Sequence, residues 1–315
     1  DTAGGLTTGD HNTAVGHEAM STGTITDTSG NYNTALGYRA MKALTTGFSN
    51  TAIGAMAMGE YTVTGQYNIA VGYQANKVLT THGYNIMIGM RAGELAVGGN
   101  QIFIGRQAGQ YAGQAPGTLD NSNIMIGGFA GAYIRSQKGN TLVGHNSMKL
   151  GGTALNTTAS YVTTLGFNAG FYTTGSYNTF IGADAGKGGT TSAPYSSGEK
   201  NVAVGYGALD AFTTGFQNVA IGYDAGGAIT TSHYNVLIGQ DAGKSITSGN
   251  GRSVLIGTFA GDAQTTSDYN VAIGYLALSD NQVGSDNIAI GGAAGNKLLG
   301  PENVIVGTFA GDALT

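Results

Sequence analysis

Three aspartates recur at one position of a repeated motif and are the best candidates for catalysis in this chain of 315 residues. Asp184, Asp224 and Asp241 each stand two residues after a glycine, and Asp224 and Asp241 are seventeen residues apart. If each motif forms one turn of a coil, carboxylates in adjacent turns lie about 4.8 Å apart. Carboxylates that close can hydrolyse glycosides or bind calcium. The alternative is a solvated aspartate at a permissive position, and we favour it because no cleft is indicated.

Other catalytic and metal-binding chemistries lack their residues. The chain contains no cysteine, which excludes disulfides, thiolate catalysis and cysteine-ligated zinc. Its five histidines are isolated, and no HExxH motif or pair at metal-ligand spacing occurs. The glycines do not precede helices that could bind phosphate, and the calcium-binding repeat GGxGxDxUx is absent. We therefore predict no enzyme activity, no metal and no cofactor.

Tyrosine supplies the candidate binding residues, because its ring combines an apolar face with a hydroxyl group. Tyrosine recurs directly before the motif and directly after its glycine, at positions that are otherwise polar or small. Two interpretations remain open: rings that stack between coils, which we favour, and a stripe that contacts sugar or protein. The candidate binding residues are Tyr67, Tyr84, Tyr111, Tyr177, Tyr195, Tyr234 and Tyr269.

One motif, repeated seventeen times, must position all of these residues. It reads Asn, a β-branched residue, a small or apolar residue, Ile/Val/Leu, Gly, two variable residues and Ala, followed by Gly, Met or Leu. Clear copies are NTAVGHEAM (12–20), NVAIGYDAG (218–226) and NIAIGGAAG (287–295). β-Branched residues two apart indicate a strand. The residue between them is nonpolar in sixteen copies, so we expect both strand faces to be covered.

The rest of the motif predicts the path of a coil. The glycine suits a bend at positive φ, the following alanine a second short strand, and threonine-rich links a turn. The leading residue is Asn in fourteen copies, which predicts turn geometry and an amide ladder between coils. Glycine makes up 56 of 315 residues and argues against helices. The fold class is therefore all-β: a parallel β-solenoid of about 17 coils, as one domain over 1–315 with repeat cores at 12–311.

Spacing and charge add further expectations. Four longer intervals between motif glycines place extra residues at 21–30, 110–121, 149–160 and 187–199, which we predict to be binding loops that contain Pro116 and Pro194. The net charge of −5 argues against nucleic acid, and no segment is apolar enough to insert into a membrane. Seventeen coils at about 4.8 Å each predict a rod about 80 Å long.

The cores NTAIG, NVAIG and NIAIG, followed by xxAG or xxAM, resemble the head repeats of trimeric autotransporter adhesins of the Yersinia type. Those heads are left-handed parallel β-rolls with three chains side by side. The longer form with TTG turns is similar to arrays in bacteriophage tail fibre and tail-spike proteins and in large bacterial surface proteins. The period departs from the adhesin heads, being mostly seventeen residues instead of fourteen. The resemblance covers about 12–311 and implies a left-handed homotrimer, placed extracellularly on a virion tail fibre or a bacterial outer surface.

Three functions follow from the resemblance and the repeats. The first is a structural fibre or adhesin module for host attachment, with itself and a host-surface glycan or protein as partners. The alternatives are a polysaccharide-depolymerising tail spike and a structural protein of a bacterial surface layer or filament. Ice binding is excluded, because the threonine position of the strand is Ile or Val in eleven copies. The chain begins and stops within repeats, so we expect it to be a fragment of a longer fibre.

Overall fold

The computed structural model describes residues 9–22, 30–78, 81–113, 122–135, 138–150, 159–190, 195–249, 251–266, 268–282 and 284–312. These residues are all-β and contain no helix. Each copy of the motif forms one strand of three residues. The strands are β1 (Thr13–Val15), β2 (Thr34–Leu36), β3 (Thr51–Ile53), β4 (Ile69–Val71), β5 (Ile86–Ile88), β6 (Ile102–Ile104), β7 (Ile124–Ile126), β8 (Thr141–Val143), β9 (Thr163–Leu165), β10 (Thr179–Ile181), β11 (Val202–Val204), β12 (Val219–Ile221), β13 (Val236–Ile238), β14 (Val254–Ile256), β15 (Val271–Ile273), β16 (Ile288–Ile290) and β17 (Val304–Val306).

The chain forms two compact units, Asp1–Tyr161 with β1–β8 and Val162–Thr315 with β9–β17. The single repeat-built domain over 1–315 stays a prediction. Within each unit, each strand pairs in parallel with the next strand along the chain. The register is that of the motif: Val219 lies opposite Val236, and Ile221 opposite Ile238. Residues at the same motif position therefore lie above one another in successive coils, and we call each such row a column. The predicted parallel β-solenoid is confirmed.

The middle residue of each strand points into the coil, and its two neighbours point outward. Ala220 and Leu237 are fully buried, whereas Val219 is half-buried and Ile221 keeps 38% of its surface exposed. Sequence analysis had left open which of the two sets faces the interior. The outward faces of Val15 (53% exposed) and Leu165 (51%) are not covered by their own units.

The glycine after each strand bends the chain at positive φ, as predicted. Its φ lies between +126° and +147° in all seventeen copies. A β-carbon at this glycine would overlap the equivalent glycine of the next coil: at Gly16 it would lie 2.6 Å from the carbonyl oxygen of Gly37. The glycine column is thus fixed by close approach of backbones as well as by φ.

The prediction of a second short strand after the glycine is wrong. This segment is a run of turns, with isolated β-bridges at Leu44–Val63 and Thr173–Ser196 in the described part of the chain. The residues two and four after the glycine adopt left-handed φ in every copy, as at Arg39 (+54°). Alternating left-handed residues are incompatible with a strand. The alanine between them, such as Ala40, is nevertheless buried.

The leading asparagines form the expected amide ladder. Oδ1 of Asn201 accepts hydrogen bonds from the backbone N and Nδ2 of Asn218, at 3.0 and 3.2 Å. Nδ2 of Asn218 also donates to the carbonyl of Ser232 at 2.9 Å, which ties the turn to the strand. Both asparagines are fully buried, so the bonds replace hydration that burial removes.

Two columns share the interior volume of each coil. They are the middle strand residue and the residue four after the glycine. In six of the eight copies with alanine in the strand, the other position holds Met, Leu or Asn; in eight of the nine other copies it holds glycine. Ala14 with Met20 and Phe103 with Gly109 represent the two arrangements. A large side chain in one column thus accompanies a small one in the other.

Candidate functional site

The candidate aspartates do approach one another, but with lysine beside them. Lys244 Nζ lies 3.3 Å from Asp224 Oδ2 and 2.8 Å from Asp241 Oδ1. Asp184 pairs with Lys187 at 3.5 Å. The stacking of coils brings Asp224 and Asp241 to one cation as their spacing predicts, and the ion pairs favour the interpretation of structural surface charge. Within the residues that the structure describes, no group of three His, Cys, Asp or Glu could hold a metal ion.

Two further acids, which sequence analysis missed, lie in the column five residues after the glycine. Burial raises the pKa of Asp210, and the nearby Asp224 carboxylate raises it further. Burial also raises the pKa of Asp262, although Ser279 Oγ donates a 2.5 Å hydrogen bond to it. Lys187 and Lys244 occupy the same column as these acids. The sequence signal for these acids is their fixed position, five residues after the motif glycine, in a column that also holds charged residues in other coils.

A basic pair near β1 and β2 binds one glutamate. Arg39 Nε lies 2.6 Å and Lys42 Nζ 2.9 Å from Glu18 Oε2. The hydrogen bond from Arg39, followed by the one from Lys42, lowers the pKa of Glu18 to about 2. The two basic side chains and Glu60 line an open pocket of about 330 Å³. Because Glu18 already neutralises these cations, the pocket offers little free positive charge.

Five of the seven candidate tyrosines lie in one column, directly before the asparagine. All five are exposed and adopt left-handed φ near +60°. The Tyr67 and Tyr84 rings stack at a centroid distance of 5.2 Å. Both interpretations thus have support, since the rings stack and still keep about half their surface exposed. The five are Tyr67, Tyr84, Tyr177, Tyr234 and Tyr269.

The other two candidates lie in the turns on another side of the coil. Tyr111 stacks on Tyr133 at 5.7 Å and is half-buried. Tyr195 stacks on Tyr172 at 6.1 Å and keeps only 9% of its surface exposed. The exposed contact surface that sequence analysis expected from Tyr195 is therefore nearly absent.

The tyrosine column also contains an arginine that sequence analysis did not single out. The Arg252 guanidinium lies 5.1 Å from the Tyr234 ring centre and 5.5 Å from that of Tyr269. His233 stacks on Phe216 at 4.6 Å beside Tyr234. The sequence signal for this contact is the motif position of Arg252, which lies one turn from each of the two tyrosines.

The predicted binding loops fall mostly outside the described residues. This holds for 23–29 in the first loop, 114–121 in the second, 151–158 in the third and 191–194 in the fourth. Pro116 and Pro194 lie in these segments. The prediction that the loops bind a partner therefore remains a prediction.

The largest uniform surface is the outward face of the strands. In all seventeen copies its two positions hold only Thr, Val, Ile or Leu, without one charged residue. Several of these side chains are substantially exposed, such as Leu36 (46%). This strand face is formed by the first and third residue of each strand within a unit.

The chain matches no protein-family model and no curated protein. Among the described residues, no helix has the length and apolar character needed to span a membrane.

Proposed function

We propose that this chain is a structural fibre or adhesin module that assembles as a side-by-side homotrimer through the strand face. Three left-handed β-rolls would each place this face toward the trimer axis. The observation that carries the proposal is the uncharged strand face, which repeats in every coil and whose side chains are half-buried or exposed. Its ligand-facing surface is the variable set of columns outside the strands.

The physics of parallel sheets supports this assembly. Parallel strands are normally buried on both faces, and here the chain covers only the inner one. In the unit with β9–β17, nine strands at about 4.8 Å spacing and about 7 Å of strand length give a strip of roughly 300 Å². A strip of that size falls in the range of the largest apolar patch on a typical monomer, which is often functional. A repeating partner is needed to match a repeating strip, and another copy of the chain is such a partner.

Host attachment is the function this assembly serves best. The exposed tyrosine column offers amphipathic rings to a host-surface glycan or protein, and the module acts outside the cell on a virion tail fibre or a bacterial outer surface. It needs no cofactor and catalyses no reaction, in keeping with the lysines that neutralise Asp224 and Asp241. Release of reducing ends from bacterial surface polysaccharide would instead favour a depolymerising tail spike.

The oligomeric state tests the proposal directly. We expect a trimer mass by light scattering for the unmodified chain. Val219→Asp buries charge in the interface and should yield folded monomers, with the β-sheet circular dichroism retained. Gln217→Asp is the matched control, because Gln217 is exposed and Asp286 occupies the same motif position in another coil. A monodisperse monomer of the unmodified chain would contradict the trimer, and equal dissociation by both variants would contradict assembly through the strand face.

Ala220→Asp separates loss of assembly from loss of fold. Ala220 is fully buried inside the coil, so its replacement by aspartate should unfold the chain. Val219→Asp should differ by losing only the trimer. If both variants unfold alike, the strand face is needed for the coil itself and not for assembly.

A further inference from the structure

An open pocket of about 190 Å³ lies between two successive coils of the unit with β9–β17. The residues 197–200 lead into β11 and form one wall, and Thr214 and Phe216, which lead into β12, form the other. Most of the first wall belongs to the fourth predicted binding loop, 187–199. We call this site the loop pocket, and its lining residues are Ser197, Gly198, Glu199, Lys200, Thr214 and Phe216.

Hydrogen bonds between the coils fix the walls of the loop pocket. The backbone N groups of Ser197 and Gly198 donate to the carbonyl of Thr213, at 2.8 and 3.0 Å. The backbone N of Gln217 donates to the carbonyl of Glu199 at 3.0 Å. The walls are therefore held in place before a ligand arrives, which lowers the entropic cost of binding.

Phe216 gives the loop pocket an aromatic face. Its ring stacks on the ring of His233 at a centroid distance of 4.6 Å and an interplanar angle of 7°. The Tyr234 ring meets it edge-on at 5.2 Å. His233 and Tyr234 belong to the following coil, whereas the residues 197–200 belong to the preceding one. One face of the Phe216 ring is thus packed on the following coil, and the opposite face lines the pocket.

The charged side chains of the loop pocket supply hydrogen-bonding groups without a net charge. Glu199 and Lys200 are both exposed. Among the residues that the structure describes, neither of them forms an ion pair, in contrast to Glu18 and Lys244. A carboxylate accepts hydrogen bonds from hydroxyl groups, and an ammonium group donates to them. Because the two charges sum to zero, the pocket favours an uncharged ligand that is rich in hydroxyl groups.

We propose that the loop pocket binds one pyranose ring of an uncharged oligosaccharide. The C–H face of the sugar would pack on Phe216, while its hydroxyl groups would donate to Glu199 and accept from Lys200. The pocket is smaller than the about 300–1,000 Å³ that encloses a drug-sized ligand, and this size suits a single sugar unit. Neighbouring sugars would extend over the exposed ring of Tyr234. The inference rests on the proposed function, since it names the class of host-surface receptor and one site for it.

Fluorescence anisotropy tests the proposal with tetramers of glucose, galactose, mannose and N-acetylglucosamine, each carrying an uncharged label. We expect at least one tetramer to bind, with the same affinity at low and at physiological salt because the ligand has no charge. Phe216→Gln and Glu199→Ser should each weaken binding about tenfold, through loss of the aromatic face and of a charged acceptor. Gln66 and Ser176 occupy the same motif position in other coils, so the fold accepts both changes.

Phe48→Gln is the matched control. Phe48 occupies the motif position of Phe216 and also meets a tyrosine edge-on at 5.2 Å, but the preceding coil holds Asn31 where the loop pocket has Glu199. This variant should therefore bind like the unmodified chain. The proposal would be overturned if the unmodified chain bound none of the four tetramers, if Phe48→Gln lost as much affinity as Phe216→Gln, or if a galacturonic acid tetramer bound equally well.

Light scattering and circular dichroism of the same samples separate the sugar site from the fibre proposal. A trimer that binds no tetramer would overturn only the sugar site, and a monomer that binds one would overturn only the trimer. If Phe216→Gln unfolds the coil, Glu199→Ser still decides the question, because the Glu199 side chain is exposed. A folded Glu199→Ser variant with undiminished affinity would count against the site.

Discussion

The two interior columns predict that the large and the small side chain of one coil can be exchanged between the two positions, as they are in another coil. Phe103 is fully buried, and a β-carbon added at Gly109 would overlap its ring. The first coil has the reverse arrangement, with Ala14 in the strand and Met20 at φ +49°. Left-handed φ therefore does not forbid methionine at this position; the Phe103 ring does. We predict that Phe103→Ala and Gly109→Met are each destabilising alone and largely compensate each other together.

The magnitudes follow from burial. Phe103→Ala leaves a cavity and should lower the free energy of unfolding by about 3–5 kcal/mol. Gly109→Met overpacks the coil and should lower it by about 1–3 kcal/mol. If the changes were independent, the double variant would lose about 4–8 kcal/mol, the sum of those ranges. We expect a loss of about 2 kcal/mol instead, because the methionine fills the space that the phenylalanine leaves.

Urea unfolding followed by circular dichroism measures all four proteins, with equal slopes required before their free energies are compared. Phe103→Ala combined with Gly226→Met is the control pair, since Gly226 lies in the other compact unit and faces Leu237. Those two losses should add. Additive losses for Phe103→Ala and Gly109→Met as well would refute the reasoning that the two columns share one volume.

Three further predictions concern single side chains. Asn218→Ala should lower the free energy of unfolding by about 2–4 kcal/mol in urea, because the N and Nδ2 of Asn235 lose their buried acceptor; Asn218→Ser keeps an acceptor and should lose less. Burial raises the pKa of Asp210, so ionisation of this side chain destabilises the fold as pH rises above the ordinary pKa of an aspartate. Asp210→Asn should therefore raise the melting temperature, measured by calorimetry, more at pH 7 than at pH 3. Arg39→Gln should raise the pKa of Glu18 from about 2 toward its ordinary value, as followed by carbon NMR. This ion pair stabilises the fold at neutral pH, and its contribution is lost as pH falls below the ordinary pKa of a glutamate toward about 2.

The strand and the asparagine ladder were predictable, because each depends on a residue type repeated at a fixed position, whereas the direction in which the middle strand residue points was not. The two β-branched residues that flank Ala220 show the two-residue period of a strand. Asparagine at the position of Asn218 recurs because it suits turn geometry and bonds the local backbone. The failed second strand had no such signal. Arg39 and Met41 both adopt left-handed φ, which neither residue type indicates. Inter-coil hydrogen bonds, such as Arg39 N to His17 O at 3.0 Å, hold them there.

The candidate sites were predictable by position and less so by surroundings. Tyr67 and Tyr84 are exposed because their motif position lies at the surface. The burial of Tyr195 depends on Tyr172, which lies one turn away, and Tyr195 itself belongs to one of the longer intervals between motif glycines. The role of Lys244 depends on aspartates in two coils. The motif position of a residue predicts where its side chain lies. It does not predict the partners of that side chain, because these belong to neighbouring columns and coils.

The contrast between uniform and variable columns is itself an argument about function. In a parallel in-register coil, any residue type required by the fold or by a repeating partner must recur in every turn. The outward strand positions recur without charge in all seventeen copies, although solvent alone would accept polar residues there. The proposed homotrimer would account for this uniformity, because another copy of the chain repeats at the same interval of about 4.8 Å. The position directly after the glycine instead changes from His17 to Arg106 to Tyr275, so any recognition there belongs to particular coils.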